Sequence, residues 1–293
     1  MNPLKDAVAY AKLVKIEHTL FALPFALSAL CLAKLESVSF GIGKIILCVA
    51  AFTAARAAAM GFNRLVDRKF DAENGRTKNR PSATGEISPT AVAVFTAVSA
   101  AAFVGFAFSL NRLCFWLSFP ALAVLLGYSY TKRFTATAHY FIGLALALAP
   151  IGGWIAVAGG FDFKILAPAA ALFFSISAFD VIYALQDMQF DRQNGLHSIP
   201  AALGKNGSLG VVAVSFFAAA AMFFLTGGIF NLGAVYFACA CAISALFAFG
   251  LCAVAFGGAK FIGTVFLYIN IAVGWLSFFG IAYRTAQMYL FRQ

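Results

Sequence analysis

The sequence predicts an all-α integral membrane protein, and three observations support this prediction. Hydrophobic residues make up 62% of the 293 residues and charged residues only 11%, and the mean hydropathy is +0.89. A soluble domain has about 45–50% apolar and about 25% charged residues. The third observation is the alternation of long apolar runs with short polar loops. These features exclude a soluble fold, a disordered chain, a collagen and a disulfide-rich secreted module.

Nine apolar runs approach the length of about 20 residues that a bilayer span requires. They lie at 19–35, 43–62, 90–109, 113–130, 138–158, 163–185, 207–229, 232–255 and 262–284. The runs are continuous rather than alternating, and a span in lipid must satisfy its backbone internally, so each is predicted to be a helix. We therefore expect one membrane domain over residues 1–293, built as a bundle of about nine helices.

The charge of the chain predicts its orientation. Lys and Arg number 21 against 11 Asp and Glu, which gives a net charge of +10. Most basic loop residues fall on the side of the N-terminus, which predicts a cytoplasmic N-terminus and an external C-terminus. Basic loops of this kind orient a membrane protein, so nucleic acid is not expected as a partner. The six cysteines lie in or beside apolar runs without a CxxC pair, and no metal or redox site is predicted from them.

Two polar loops on the predicted inner side carry a repeated motif. The first is N-x-x-x-D-x-x-x-D, and Y-x-x-x-D-x-x-x-D follows 120 residues later. The residues are Asn63, Asp67 and Asp71 in the first motif and Tyr183, Asp187 and Asp191 in the second. Residues four apart share one face of a helix. Each motif therefore predicts a polar stripe that runs from the end of a span toward water.

A divalent cation explains these stripes better than a bare helix does. Two carboxylates at i and i+4 repel each other by a few tenths of a kcal/mol. Mg²⁺ reverses that sign, because it uses one or two carboxylates and leaves its other positions to water and phosphate. The alternative is that the Asp residues are solvated and pair with nearby basic residues, namely Arg64, Arg68, Lys69 and Arg192. Two matched stripes on the same side favour the metal site.

Two further charged residues lie inside predicted spans. Asp180 follows an apolar segment, where an ionised Asp costs about 2.5–3.5 kcal/mol, so it is expected to face a polar cavity and a partner. Arg56 lies two turns before Asn63 on the same face, and it either snorkels to the headgroups or points at an anion. Together these residues predict a site for a phosphate group on an apolar tail, held through Mg²⁺.

The motifs resemble those of the UbiA superfamily of intramembrane prenyltransferases. The first motif, with Arg56 before it and Arg80 after it, and the second, with Asp180 before it, look like the two signature motifs of that family. The segment 128–133 resembles the family's Tyr-x-x-x-Lys-Arg stretch, and the nine spans match its architecture. The resemblance implies a bundle around a central cavity, in which Mg²⁺ joins the carboxylates to a polyprenyl diphosphate.

The resemblance also implies a role for each residue. The implied metal ligands are Asn63, Asp67, Asp71, Asp187 and Asp191. The implied substrate contacts are Arg56, Asn63, Arg80, Lys132 and Tyr183. The implied catalytic residues are Asp67, Asp71, Asp180, Asp187 and Asp191, with Asp180 deepest, on the metal side or the carbocation side. Departure of diphosphate would leave an allylic cation, which the ring of an aromatic acceptor then attacks.

The runs 16–25 and 183–200 look most like the 4-hydroxybenzoate polyprenyltransferase branch, including members that use 1,4-dihydroxy-6-naphthoate for menaquinone. This implies an enzyme of quinone biosynthesis in a bacterial inner membrane, with His18 and His197 as candidates to contact the acceptor. Two other classes stay open. A transporter of a cation or phosphorylated metabolite also has intramembrane charges and repeated halves. A CDP-alcohol phosphotransferase also uses Asp stripes, but its Asp-Gly-x2-Ala-Arg run is absent.

Overall fold

The computed structural model describes residues 3–15 and 19–290, and within these ranges the chain is helical without a β-strand. Eight helices in this part of the chain are long and apolar enough to cross a membrane. A shorter apolar helix over 22–35 corresponds to the first predicted span. The all-α membrane fold is therefore confirmed, and the predicted count of about nine spans is close to the observed one.

The long α-helices overlap the predicted runs, and shorter helices lie outside them. Their bounds are α1 Pro3–Leu13, α2 Thr19–Leu35, α3 Ile42–Val66, α4 Arg68–Glu73, α5 Pro81–Thr84, α6 Pro89–Leu110, α7 Arg112–Gly127, α8 Ala138–Ala158, α9 Leu166–Ala184, α10 Met188–Gln193, α11 Ile199–Ile229, α12 Gly233–Gly257, α13 Ile262–Thr264 and α14 Asn270–Leu290. Short 3₁₀ helices occupy Tyr128–Arg133, Phe163–Ile165, Leu185–Asp187 and Ala259–Phe261, and Val265–Ile269 is a π-helix.

The helices pack as two compact units, one formed by residues 1–19 and 46–130 and the other by 20–45 and 131–293. In the first unit α6 packs on α7, and α1 packs on the short α5. A small core of Ala9, Leu13, Ile87 and Val92 joins α1 to this region. This core holds α1 beside the segment that follows the first Asp motif.

In the second unit α9 is the central helix and packs on both α8 and α11. Most of its residues are buried, which is unusual for a span and leaves few side chains accessible. A cluster of phenylalanines packs around it, including a stacked pair, Phe216 and Phe247, whose ring centroids lie 4.4 Å apart. The burial of α9 fixes the position of the second Asp motif at its C-terminal end.

Helix α11 begins earlier than the sequence predicts, at Ile199 instead of residue 207. Its first turn and the rest of the helix meet at Gly204, which has φ 68° and ψ −174°. This region of backbone space is essentially open only to glycine. The kink places a short helical turn beside the second motif, where the side chain of Arg192 donates to the carbonyl of Ala201 at 2.8 Å.

Candidate active site

The first motif lies where a long helix changes into a short one. Helix α3 ends at Val66, Asp67 has φ −91° and ψ 6°, and α4 begins at Arg68. The backbone hydrogen bonds nevertheless continue, because the Asp67 N–H donates to the Asn63 carbonyl at 2.9 Å and the Asp71 N–H to the Asp67 carbonyl at 2.8 Å. The three motif residues therefore stay one turn apart, as the predicted stripe requires.

The second motif repeats this local geometry. Helix α9 ends at Ala184, a 3₁₀ turn leads to Asp187 with φ −99° and ψ 1°, and α10 follows. Each middle Asp thus has φ near −90° and ψ near 0°, a sparsely occupied region where many active-site residues lie. The internal repeat seen in the sequence is therefore also a repeat of backbone conformation.

The carboxylate of Asp71 lies between two arginines. Arg80 Nη1 donates to its Oδ1 at 2.7 Å, and Arg64 Nη1 approaches its Oδ2 at 3.4 Å. Arg64 also directs its Nε toward the carbonyl of Leu13 in α1 at 3.4 Å, and its side chain is only 7% exposed. Arg80 was predicted near the phosphate, whereas Arg64 was considered only as a surface partner for the Asp residues.

Two of the other basic residues near the motifs, Arg68 and Arg192, bind backbone oxygens. Arg68 donates to the carbonyl of Ser82 at 3.0 Å, and Arg192 donates to the carbonyl of Ala201 at 2.8 Å. The Asn63 amide donates to Asp67 Oδ2 at 2.7 Å. Of the basic residues in the predicted alternative, Arg64 pairs with Asp71, but both side chains are buried rather than solvated.

Arg56 lies on α3 and reaches the end of the first helix. Its Nη2 donates to the carbonyls of Val14 and Lys15 at 3.1 and 2.9 Å. These carbonyls lie directly after the C-terminal end of α1. The side chain thus connects α3 to the chain after α1. Contact with an anion stays a prediction for this residue.

In the second unit the structure brings Lys132 and Asp191 together, with Nζ and Oδ2 3.5 Å apart. This distance allows Coulomb attraction but is long for a hydrogen bond. Asp191 is 2% exposed, and its Oδ2 has no hydrogen-bond partner among the described residues. Asp187 is buried as well. A buried carboxylate oxygen without a hydrogen bond is costly, so this position favours a cation.

Asp180 and Tyr183, the other two residues predicted on this helix, have partners that the sequence did not indicate. Asp180 Oδ2 lies 2.6 Å from Nδ1 of His139, a fully buried residue at the start of α8. Tyr183 stacks on Phe266 of the π-helix, with ring centroids 4.2 Å apart. His139 was missed because a lone histidine at the start of an apolar run has no sequence signal that identifies its partner.

The two histidines considered as acceptor contacts have different outcomes. His18 lies outside the described residues. The backbone N–H of His197 donates to the carbonyl of Lys132 at 2.7 Å, which joins the segment before α11 to the 3₁₀ helix that carries Lys132. Contact of the His197 side chain with a substrate stays a prediction.

The fold and the two Asp motifs define a polytopic helical membrane protein with paired, partly buried carboxylates at the ends of spans. The chain matches the UbiA prenyltransferase family over residues 22–251, and it belongs to that family. The resemblance found in the sequence is thereby confirmed.

Individual relatives agree with this assignment. The chain is 34% identical to a 4-hydroxybenzoate octaprenyltransferase of Azoarcus sp. over 62% of this chain and 63% of the relative. It is 35% identical to protoheme IX farnesyltransferase 1 of Vibrio parahaemolyticus over 51% of this chain and 50% of the relative. The chain thus spans less than two thirds of the length of these curated relatives.

Solved structures have the same fold. The apo structure of a UbiA homologue from Aeropyrum pernix K1 superposes with a TM-score of 0.83 at 30% identity, covering 91% of this chain and 98% of that one. A UbiA homologue from Archaeoglobus fulgidus bound to GPP and Mg²⁺ gives 0.71 at 20% identity, covering 94% and 99%. At 20% identity the second similarity concerns the fold alone.

Proposed function

We propose that this chain transfers a polyprenyl group from a polyprenyl diphosphate to an aromatic acceptor, 4-hydroxybenzoate or 1,4-dihydroxy-6-naphthoate, in the synthesis of a quinone. The observation that carries the proposal is the repeated geometry of the two motifs, with buried carboxylates beside basic side chains. Family membership favours this enzyme over a transporter. The name of the Azoarcus relative supports 4-hydroxybenzoate, and the name of the Vibrio relative makes haem the acceptor to test against it.

The residues present suit Mg²⁺. The donor set is all oxygen, and Asp191 has a buried carboxylate oxygen without a hydrogen bond. Among the described residues no group of three or more His, Cys, Asp or Glu side chains forms a closed metal cluster. Mg²⁺ needs none, because it takes one or two carboxylates and fills its shell with water and phosphate. We assign Asn63, Asp67, Asp71, Asp187 and Asp191 as ligands shared among two or three Mg²⁺ ions. Bound Mg²⁺ would neutralise charge on the departing diphosphate.

The basic residues have the complementary role of binding the diphosphate. Lys132 has a partly exposed ammonium group and only a long contact to Asp191, so it can turn to a phosphate oxygen at little cost. Arg80 and Arg56 are the corresponding groups of the first unit. Cleavage of the allylic C–O bond leaves its electron pair on diphosphate. The acceptor ring then forms the new C–C bond with its own electron pair and loses the proton from that carbon.

The test uses purified protein in detergent with Mg²⁺, labelled geranyl diphosphate and a panel of 4-hydroxybenzoate, 1,4-dihydroxy-6-naphthoate and haem. We expect a prenylated arene in Mg²⁺ and none in EDTA. Asp67→Asn and Asp187→Asn should each lower turnover at least about a hundredfold, the scale of one lost electrostatic stabiliser. Glu36→Gln is the matched control, because Glu36 pairs with Lys164 on the surface. Turnover in EDTA, or with haem alone, would contradict the proposal.

A further inference from the structure

The buried pair of His139 and Asp180 has a defined polarity. His139 Nε2 accepts a hydrogen bond from the backbone N–H of Ile199 at 3.3 Å, so the ring proton lies on Nδ1. That proton is donated to Asp180 Oδ2 at 2.6 Å. The histidine is thus a neutral donor that orients the carboxylate. It also satisfies one of the N–H groups that the first turn of α11 leaves open.

Close packing of α8 and α9 makes this contact possible. Gly143 lies one turn after His139, and a Cβ at that position would lie 2.6 Å from the carbonyl oxygen of Phe173 and would overlap the hydroxyl of Ser177. Small residues allow two helices in a membrane to approach in this way. The approach buries the imidazole completely while it reaches Asp180. An intramembrane carboxylate held so specifically indicates a function.

The Asp180 side chain is partly accessible. It is 19% exposed, whereas Phe179 and Val181 beside it are buried. Among the described residues His139 is the one hydrogen-bond partner of this carboxylate, and it bonds to Oδ2. Oδ1 is therefore available for a ligand that donates a hydrogen bond.

Two aromatic residues share the face of α9 that carries Asp180. Phe173 and Tyr183 are half-buried, and their spacing of seven and three residues from Asp180 places all three on one face of α9. Tyr183 stacks on Phe266 inside the π-helix, a type of irregularity that often marks functional sites. A carboxylate on the same helix face as aromatic side chains suits a flat ring that carries a hydroxyl group. It repels the diphosphate, whose charge has the same sign.

We propose that Asp180 accepts a hydrogen bond from the ring hydroxyl of the aromatic acceptor, and that His139 is a positioning residue that holds the carboxylate in place. This inference rests on the proposed function and names the chemical feature by which the acceptor is recognised. A hydrogen bond to an ionised carboxylate also shifts electron density from the hydroxyl into the ring, which favours attack by a ring carbon. Hydroxyarenes are therefore substrates, and arenes with a blocked hydroxyl are not.

The experiment combines protein variants with a pair of acceptors. Binding of 4-hydroxybenzoate and of 4-methoxybenzoate is measured at equilibrium with Mg²⁺ and inorganic diphosphate, and turnover of the hydroxy compound is measured separately. The unmodified protein should prefer the hydroxy compound by about 10–100-fold, the range of a hydrogen bond to a charged group. Asp180→Asn should reduce this preference to less than about threefold and leave the KM for prenyl diphosphate nearly unchanged.

Two variants of His139 separate positioning from folding. In His139→Gln the amide NH₂ can donate to Asp180 and its carbonyl oxygen can accept from Ile199, so the preference for the hydroxy compound should persist. His139→Leu should lose it, and thermal unfolding of each variant checks that the protein is folded. Equal affinity of the unmodified protein for both arenes, or an effect of Asp180→Asn confined to prenyl diphosphate, would overturn the assignment. Absence of product from the unmodified protein would refute the proposed function as well, whereas product formation without the preference would refute the assignment alone.

Discussion

Replacing a single carboxylate by an amide should lower the stability of the protein in the first motif but not in the second. Asp71 is paired with Arg64 and Arg80, so Asp71→Asn leaves the buried Arg64 guanidinium without its counter-ion. Asp191 Oδ2 has no hydrogen bond among the described residues, and its ionic partner Lys132 lies 3.5 Å away. The Lys132 side chain is 33% exposed and can be hydrated instead, so Asp191→Asn removes a buried charge that is only weakly compensated. Both variants should lose turnover, but only Asp71→Asn should lose stability.

The burial and the distances of these side chains set the expected changes in the free energy of unfolding. Removing one partner of a buried ion pair costs about 3–5 kcal/mol. The side chains of Arg64 and Asp71 are 7% and 9% exposed, but their contact is 3.4 Å long, so the lower end of about 3 kcal/mol applies. A buried polar group without a hydrogen bond raises the free energy of the folded state by about 1–3 kcal/mol, and replacing it removes part of that cost. We therefore expect Asp191→Asn to leave the free energy of unfolding unchanged or to raise it by up to about 2 kcal/mol.

Glu36→Gln is the matched control, because it makes the same chemical change in an exposed pair. Glu36 and Lys164 are 34% and 41% exposed at a distance of 2.6 Å. Exposed pairs contribute about 0–1 kcal/mol. The free energy of unfolding is measured by SDS titration in mixed micelles with EDTA present, so that no metal contributes. Equal losses in Asp71→Asn and Glu36→Gln, or a loss in Asp191→Asn as large as that in Asp71→Asn, would refute the reasoning.

Three further predictions concern other parts of the chain. Arg56→Ala should raise the KM for prenyl diphosphate or lower kcat, with little change in the KM for the acceptor. If the variant changes only the expression level, Arg56 has a structural role through its contact with the chain after α1 and does not bind the diphosphate. In sealed right-side-out vesicles a tag at Met1 should be protected and one at Gln293 accessible, so both ends on one side would contradict the odd number of spans. Gly204→Ala should destabilise by about 1–3 kcal/mol because of its positive φ, whereas Gly210→Ala, in open helical surroundings, should not. Equal free energies of unfolding for these two variants would contradict the argument that the positive φ of Gly204 causes strain in alanine.

The positions of the spans could be predicted from sequence because each depends on a local quantity. An apolar run of sufficient length must be a helix in lipid, whatever its neighbours are. The Asp stripes could be found for the same reason, since a spacing of four residues places side chains on one helix face. The interruption at Asp67 and Asp187 could not be found, because the spacing is the same whether the helix continues or breaks.

The sequence by itself determined the membrane class, the approximate spans and the residues of both motifs. The tertiary structure alone decided which partner each charged side chain has. Arg64 binds Asp71 because α3 and α4 present both side chains inward, and His139 reaches Asp180, 41 residues away, because Gly143 lets α8 approach α9 closely. Hydrogen bonds are short and directional. Partners therefore depend on the packing of helices that are distant in sequence, which periodicity and composition do not encode.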